Sequence, residues 1–138
     1  MQLIPVPPDR IAGLWPLILP FAEQMAERFP DDWPPPELRR RAERGLTLLW
    51  LVRPPDAIAP IGLVGTEIHP KPSGRRGLVI VCAAGSDHRR ALAVMPELER
   101  YGASLGCNFV EIRGRSGWGR HLEDYRATPG VVLKKELK

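Results

Sequence analysis

The chain has 138 residues, of which 43% are hydrophobic, and a formal net charge of +4 at pH 7 from 20 basic and 16 acidic side chains. A chain of this length typically folds as one unit, so we expect a single domain over residues 1–138. No stretch reaches the roughly 18 consecutive apolar residues of a membrane helix, and the N-terminus lacks the pattern of a secretion signal. Moderate positive charge without a recognised nucleic-acid motif makes nucleic acid an unlikely partner. We therefore expect a cytoplasmic protein that uses neither a membrane nor nucleic acid.

The first third of the chain is predicted to form one short strand and two helices. The strand covers Gln2–Val6 and is ended by prolines. Apolar residues then recur at spacings of three and four between Ile11 and Phe29, which predicts an amphipathic helix. Pro16 and Pro20 argue against that helix, since each removes a backbone hydrogen bond, and a kink is the expected compromise. A second, short and polar helix should begin at Pro36 or Glu37 and end near Arg44.

Three apolar strands follow, and short turns connect them. They are predicted over Leu46–Val52, Ala59–His69 and Gly77–Gly85. Short connections favour an antiparallel arrangement. The middle strand of the three is apolar on both faces, which suits a central strand with helices above and below it.

The stretch from Arg76 to Trp118 forms the centre of the predicted fold. Its first strand leads through a basic turn into a segment of helical period, from Ala91 to Leu105, and then into a second strand over Cys107–Ile112. Such a unit requires parallel strands and a right-handed crossover. Pro96 fits if the regular helix begins near Met95 or bends there. Any ligand of this unit is expected where the first strand meets the helix, because unpaired N–H groups point outward there.

The end of the chain is predicted to add a short helix over Gly117–Asp124 and a final strand within Tyr125–Leu137, bent at Pro129–Gly130. Two cysteines, Cys82 and Cys107, lie in apolar strand contexts. Buried free thiols are the favoured interpretation, and a disulfide between adjacent strands is the alternative.

His69 and His121 are interpreted as surface residues, and His88 as an exposed loop residue with contact to phosphate or relay of a proton as the alternative. No spacing of histidine, cysteine and aspartate predicts a metal site.

The predicted order is strand, two helices, three antiparallel strands, helix, strand, short helix, strand. This order resembles the fold of the GNAT (general N-acetyltransferase) superfamily over nearly the whole chain. In the last third, Gly106-Cys107 is followed by a strand and then by Gly114-Arg115-Ser116-Gly117-Trp118, which resembles small GNAT-like proteins of bacteriophages and prophages. The resemblance implies an α/β fold with a mixed, mostly antiparallel sheet flanked by helices.

The resemblance also implies acetyl-CoA as a cofactor, with no metal. In GNAT proteins the fourth and fifth strands splay apart, and the pantetheine arm pairs with the freed backbone of the fourth strand. The pyrophosphate rests on N–H groups at the start of the next helix. The residues of this chain that match the cofactor-binding positions are Val81, Cys82, Ala83, Gly85, Ser86, Arg89 and Arg90.

Two features depart from the family pattern. Family members usually carry Arg/Gln-x-x-Gly-x-Gly/Ala in the phosphate loop, because glycine lets the backbone approach phosphate closely. This chain has a single glycine there, Gly85, and places Asp87 where phosphate is expected. The tyrosine that often serves the family as general acid corresponds to a position near Arg120.

A carboxylate or a relayed water is the expected base for such a reaction, since the attacking amine must lose a proton. Glu67 on the third strand and Glu111 on the fifth are the candidate catalytic residues. Each has a structural alternative, as an exposed strand residue or as the partner of an arginine.

Two functions remain open at this point. The first is an acyl-CoA-dependent N-acyltransferase, whose partners would be acyl-CoA and an amine. The second is a non-catalytic GNAT-fold structural or interaction protein, whose partners would be other phage or virion proteins and whose location would be the virion. The missing glycines, the missing acid and the proline-rich linker around Trp33 motivate the second.

Overall fold

The structure, a computed structural model, describes residues 1–86, 92–113, 122, 124–128 and 132–137. The strands are β1 (Gln2–Val6), β2 (Leu48–Arg53), β3 (Gly62–Pro70), β4 (Arg76–Gly85), β5 (Phe109–Arg113), β6 (Arg126–Thr128) and β7 (Val132–Glu136). The helices are α1 (Ile11–Arg28), α2 (Pro35–Glu43) and α3 (Met95–Ser104), and 3-10 turns over Pro8–Arg10 and Leu92–Val94 precede α1 and α3.

The strands form one seven-stranded sheet in the order β1-β2-β3-β4-β5-β7-β6. Among the strands in the described residues, only β4 and β5 run parallel, and every other neighbouring pair is antiparallel. The predicted meander of three strands and the predicted parallel pair are both confirmed. So is the fold class, a mixed and mostly antiparallel sheet flanked by helices.

The sheet has a helical layer on each face, and each layer buries its own apolar core. The first core joins α1 and α2 to one face, and its largest fully buried side chains are Ile11, Ile18, Met25, Leu38, Leu49 and Leu63. The second core joins α3 to the opposite face and includes Trp50, Leu78, Ile80, Leu98, Val110 and Ile112. Both faces of β3 and β4 are therefore covered, as the apolar pattern of these strands predicts.

Prolines shape the helices without breaking them. Pro16 and Pro20 lie inside α1, one turn apart on its exposed side, while its buried stripe packs on the sheet. Packing of that stripe supplies the stability that the two lost hydrogen bonds remove. Pro96 lies in the first turn of α3, where its missing N–H costs nothing, so the prediction that the regular helix begins near Met95 is confirmed.

Two predicted strand boundaries are wrong for local reasons. Leu46 and Thr47 do not begin β2, because their N–H groups donate to Arg41 O at the end of α2. The strand β3 begins at Gly62 rather than at Ala59, since Pro60 has no N–H for the ladder. The helix predicted over residues 117–124 lies outside the described residues except for positions 122 and 124, which are not helical.

Cys82 and Cys107 are both buried and free, which confirms the favoured interpretation and excludes the disulfide. Burial raises the pKa of the Cys82 thiol to about 12, so it is an inert packing group. Within the part of the chain that the structure describes, no helix combines the length and the apolar character needed to cross a membrane.

A substitution at Gly77 of β4 tests how tightly β4 and β5 pack where Gly77 meets Phe109. A Cβ added at Gly77 would lie 2.3 Å from the Phe109 ring, whereas one added at Gly13 of α1 would meet nothing within 4 Å. We expect Gly77→Ala to lower the free energy of unfolding by about 1–3 kcal/mol in urea denaturation. Gly13→Ala is the matched control and should raise it by about 0.5–1 kcal/mol. Equal stability of Gly77→Ala and wild type would contradict the packing described.

Candidate functional site

The strand β4 contains one extra residue, which changes the direction of its side chains. Gly65 pairs with Cys82 and Thr66 pairs with Ile80, so Val81 is left over as a β-bulge. Before the bulge, Ile80 packs in the core beneath α3; after it, Cys82 packs in the core beneath α1 and α2. The bulge therefore rotates the second half of β4 about its own axis.

The pairing between β4 and β5 ends at the same place. Its last pair is Ile80 with Ile112. Beyond that pair, β5 ends at Arg113, while β4 continues to Gly85 and pairs with β3. Among the described residues no strand pairs with the other edge of this second half of β4, which we call the open edge. Residues 114–121, which follow β5, lie outside the described residues, so the expected separation of the two parallel strands stays a prediction.

Strand alternation identifies the backbone groups on this open edge. The Ser86 N–H donates to Ile61 O, which directs the backbone of Ser86 and Ala84 toward β3. The backbone groups of Ala83 and Gly85 consequently point away from β3. Ala83 and Gly85 are thus the predicted cofactor residues whose N–H and C=O face the open edge.

The other described cofactor residues are arranged around Ala83. Cys82 directs its backbone to β3 and buries its thiol, and Val81 occupies the bulge. Gly85 must be glycine, because a Cβ there would lie 2.7 Å from Ile61 O. Arg89 and Arg90 lie outside the described residues, as do His88 and His121.

One side chain from α1 reaches the open edge. The Gln24 Nε2 group donates to Gly85 O at 3.1 Å. No sequence pattern identified Gln24, although it is one of the first two polar residues after the uncharged first half of α1.

An apolar pocket lies beside the open edge, between β4 and the start of α3. It is lined by Val52, Gly62, Leu63, Val64, Ile80, Ala83, Ala84, Gly85, Leu92, Val94, Met95 and Leu98. Every lining residue is apolar or glycine, and the cavity of about 20 Å³ has room for one small apolar group. The backbone of Ala83, which has no strand partner on this edge among the described residues, lines it as well.

The two candidate catalytic residues lie on one face of the sheet, on either side of Val79. Glu67 of β3 and Glu111 of β5 both pair in register with Val79 of β4. They face the α1–α2 side, opposite to α3. The structure thus brings together two carboxylates that are 44 positions apart in the sequence.

Glu67 is held by three donors. Arg41 Nη2 and Thr47 Oγ1 donate to its Oε2 at 2.8 and 2.6 Å, and His69 Nε2 contacts its Oε1 at 2.8 Å. Burial raises the pKa of Glu67, but the hydrogen bonds from Thr47, His69 and Arg41 outweigh burial and place the pKa below its ordinary value. The carboxylate is therefore ionised near neutral pH, and the arginine-partner alternative describes it.

Glu111 has a different environment. Its side chain is 12% exposed, and its ion pair with Lys71 spans 3.6 Å between Oε1 and Nζ. No described donor approaches Glu111 as closely as the three around Glu67. The oxygens of Glu111 consequently keep more hydrogen-bond acceptor capacity than those of Glu67.

His69 is not a simple surface residue, contrary to the prediction. Its side chain is 28% exposed and lies between Glu67 and Arg113, whose Nη2 contacts His69 Nδ1 at 3.5 Å. A neutral imidazole with its proton on Nε2 satisfies both contacts. Periodicity could have revealed this, since Glu67 and His69 are two apart on one strand and share a face.

Tyr125 is not poised to donate a proton. Its hydroxyl donates to Glu99 at 2.9 Å, and Lys135 Nζ lies 2.7 Å from the same carboxylate. Burial, followed by the hydrogen bond to Glu99, raises the pKa of Tyr125 far above its ordinary value. The tyrosine links α3 to the end of the chain. Across the described ranges, no three metal-ligating side chains come together in a way that could hold a metal ion.

Glu67→Gln tests the network around Glu67. We expect a loss of about 1–3 kcal/mol in the free energy of unfolding at pH 7, because three donors lose a charged acceptor. The pKa of Glu67 is lower in the folded state than its ordinary value of 4.5. Its ionised carboxylate therefore stabilises the fold above about pH 4.5, and this stabilisation is lost as the pH falls through the pKa of the folded state. The variant should therefore lose part of the acid dependence of stability below about pH 4.5.

The matched control for that experiment is Glu37→Gln. Glu37 also has a lowered pKa, through its hydrogen bond with Arg40, but the pair is exposed on α2. Its replacement should change stability much less, because solvent screens the pair. Urea denaturation from pH 3 to pH 7 measures both variants, and equal effects would contradict the distinction.

The similarity of this chain to known proteins lies in its structure and not in its sequence. No protein-family model matches the chain, and no curated protein matches its sequence significantly. Tetrahymena GCN5 superposes with a TM-score of 0.68 at 7% identity, over 100% of this chain and 97% of that one. A GNAT family acetyltransferase from Listeria monocytogenes gives 0.59 at 11% identity, over 99% and 94%.

A third similar structure was solved with a ligand. AtaTR bound with AcCoA superposes with a TM-score of 0.53 at 8% identity, over 72% of this chain and 73% of that one. Identities this low establish the architecture and leave activity open. The chain has the fold of the GNAT acetyltransferases.

Proposed function

We propose that the protein is an acyl-CoA-dependent N-acyltransferase, of the type found in phages and prophages, whose phosphate loop departs from the usual pattern. The observation that carries this proposal is the open edge of β4 after the Val81 bulge, beside an apolar pocket. The fold shared with acetyltransferases and the AcCoA-bound neighbour support it.

The residues present fit the pantetheine arm of acyl-CoA. That arm contains amide groups, which need backbone partners, and the N–H and C=O of Ala83 are available on the open edge. Its aliphatic parts need an apolar wall, which the pocket provides through Ile80, Val94 and Met95. Ser86, Arg89 and Arg90 are proposed to meet the phosphates, and the two arginines compensate in charge for Asp87.

When bound, acyl-CoA would supply a thioester whose acyl group passes to an amine, with the C–S bond broken and CoA released as its thiolate. The chain's task is to hold that carbonyl near the bulge and to take the proton that the amine loses. Positioning two reactants in this way supplies much of the rate. We propose Glu111 as the proton acceptor, directly or through a water, because the three donors around Glu67 occupy both of its oxygens.

Binding of CoA tests the proposal most simply. We expect CoA or acetyl-CoA at sub-millimolar concentration to raise the melting temperature, since a ligand that binds only the folded state stabilises it. No shift at saturating ligand would contradict the proposal.

Two proline variants locate the binding edge. Ala83→Pro removes an N–H that β3 does not use, so the protein should remain folded and bind CoA about 2- to 10-fold more weakly in calorimetry. Ala84→Pro is the matched control, because it removes an N–H from the β3 ladder and should destabilise the fold itself. Full-strength CoA binding by a folded Ala83→Pro variant would contradict the proposed contact.

Kinetics of the Glu111→Gln variant test which of the two carboxylates, Glu67 or Glu111, acts as the base. We expect this variant to lower kcat for acetyl transfer to an amine by about 100-fold with little change in the affinity for CoA. Glu67→Gln is the matched variant, and its main effect should be on stability. An unchanged kcat in Glu111→Gln would remove Glu111 as the base.

The alternative is a non-catalytic protein with this fold, for example a component of a phage particle. One observation favours it, namely that Gln24 already satisfies a backbone carbonyl on the open edge. This function predicts no response to CoA and co-purification with other virion proteins. The thermal shift with CoA distinguishes the two functions.

A further inference from the structure

The contact between Gln24 and Gly85 has a consequence for ligand binding. The carbonyl of Gly85 points away from β3, toward the open edge beyond the end of the β4–β5 pairing. A peptide-like ligand that pairs with Ala83 along the same edge would reach Gly85 next, since alternate residues share an edge. Gln24 Nε2 occupies that carbonyl at 3.1 Å.

The position of Gln24 is fixed by its helix. Its neighbours Ala22 and Met25 are fully buried against the face of the sheet that carries Cys82 and Ala84. The preceding residue, Glu23, faces solvent, whereas Gln24 is half-buried and reaches the end of β4. A side chain held from a packed helix is a stable partner for the carbonyl.

We infer that Gln24 is a polar latch on the cofactor edge: it occupies the Gly85 carbonyl in the free protein and must release it before the pantetheine arm of acyl-CoA pairs there. This inference rests on the proposed function. It makes Gln24 a determinant of acyl-CoA affinity, because part of the binding free energy is spent on breaking the Gln24–Gly85 hydrogen bond. No covalent step is involved.

The test compares two ligands by calorimetry. CoA carries the pantetheine arm, whereas adenosine 3′,5′-diphosphate carries only the nucleotide end. Gln24→Met keeps the length of the side chain and removes the donor, so it should bind CoA about 2- to 10-fold more tightly than wild type. Its affinity for adenosine 3′,5′-diphosphate should be unchanged.

Two further variants control for indirect effects. Gln24→Ala also removes the amide donor, by shortening the side chain, and should tighten CoA binding as well. It allows the test to be made if Gln24→Met folds poorly. Glu23→Ala alters the adjacent, solvent-facing residue of α1 and should leave the affinity for both ligands unchanged.

Each outcome decides the inference. Tighter binding of CoA alone, relative to a wild type that itself binds CoA, supports the latch. Unchanged or weaker CoA binding in these variants overturns the latch and leaves the proposed function standing. A parallel change in both ligands also overturns it, because it reports a general loosening of the site. Absence of CoA binding in wild type overturns the proposed function together with the latch.

Discussion

The Val81 bulge is the constraint on which the site depends. One extra residue in β4 rotates the strand, so that Ile80 belongs to the core beneath α3 and Cys82 to the core beneath α1 and α2. Because β5 pairs with β4 only as far as Ile112, the rotated half of β4 keeps one edge without a strand partner among the described residues. Backbone polar groups rarely remain unpaired inside a sheet, which is why the proposed function places the ligand at this edge.

The surroundings of the edge are built to keep it in place. Gly65 and Gly85 allow β3 to approach β4 closely, since a Cβ at Gly65 would lie 2.5 Å from the Cys82 sulfur. On the adjacent face, Arg41 of α2 and Thr47 hold Glu67, which fixes β3 against the helical layer. Because these walls are already ordered in the free protein, the site loses less conformational entropy when a ligand binds.

Sequence patterns predicted the architecture better than the site. Apolar runs and turn residues identified the meander, and the helical spacing before Gly106 predicted the crossover to a parallel strand. Pro96 left two alternatives, a helix start near Met95 or a bend, and the structure shows the first, because proline is tolerated in a first turn. In contrast, the bulge at Val81 has no local sequence signature. A continuous run of apolar residues does not reveal whether it contains one extra residue. The contacts of Gln24 and Arg41 arise from packing between segments that are distant in the sequence. Periodicity within one segment does not predict such contacts.

Amide hydrogen exchange at Ala83 tests the central claim most directly. If the backbone of Ala83 faces an open edge that receives the pantetheine arm, its N–H should exchange rapidly in the free protein and become protected at saturating CoA. The Ala84 N–H, which faces β3, should be protected in both states and provides the internal reference. Strong protection of Ala83 in the free protein, or no change on addition of CoA, would contradict the account.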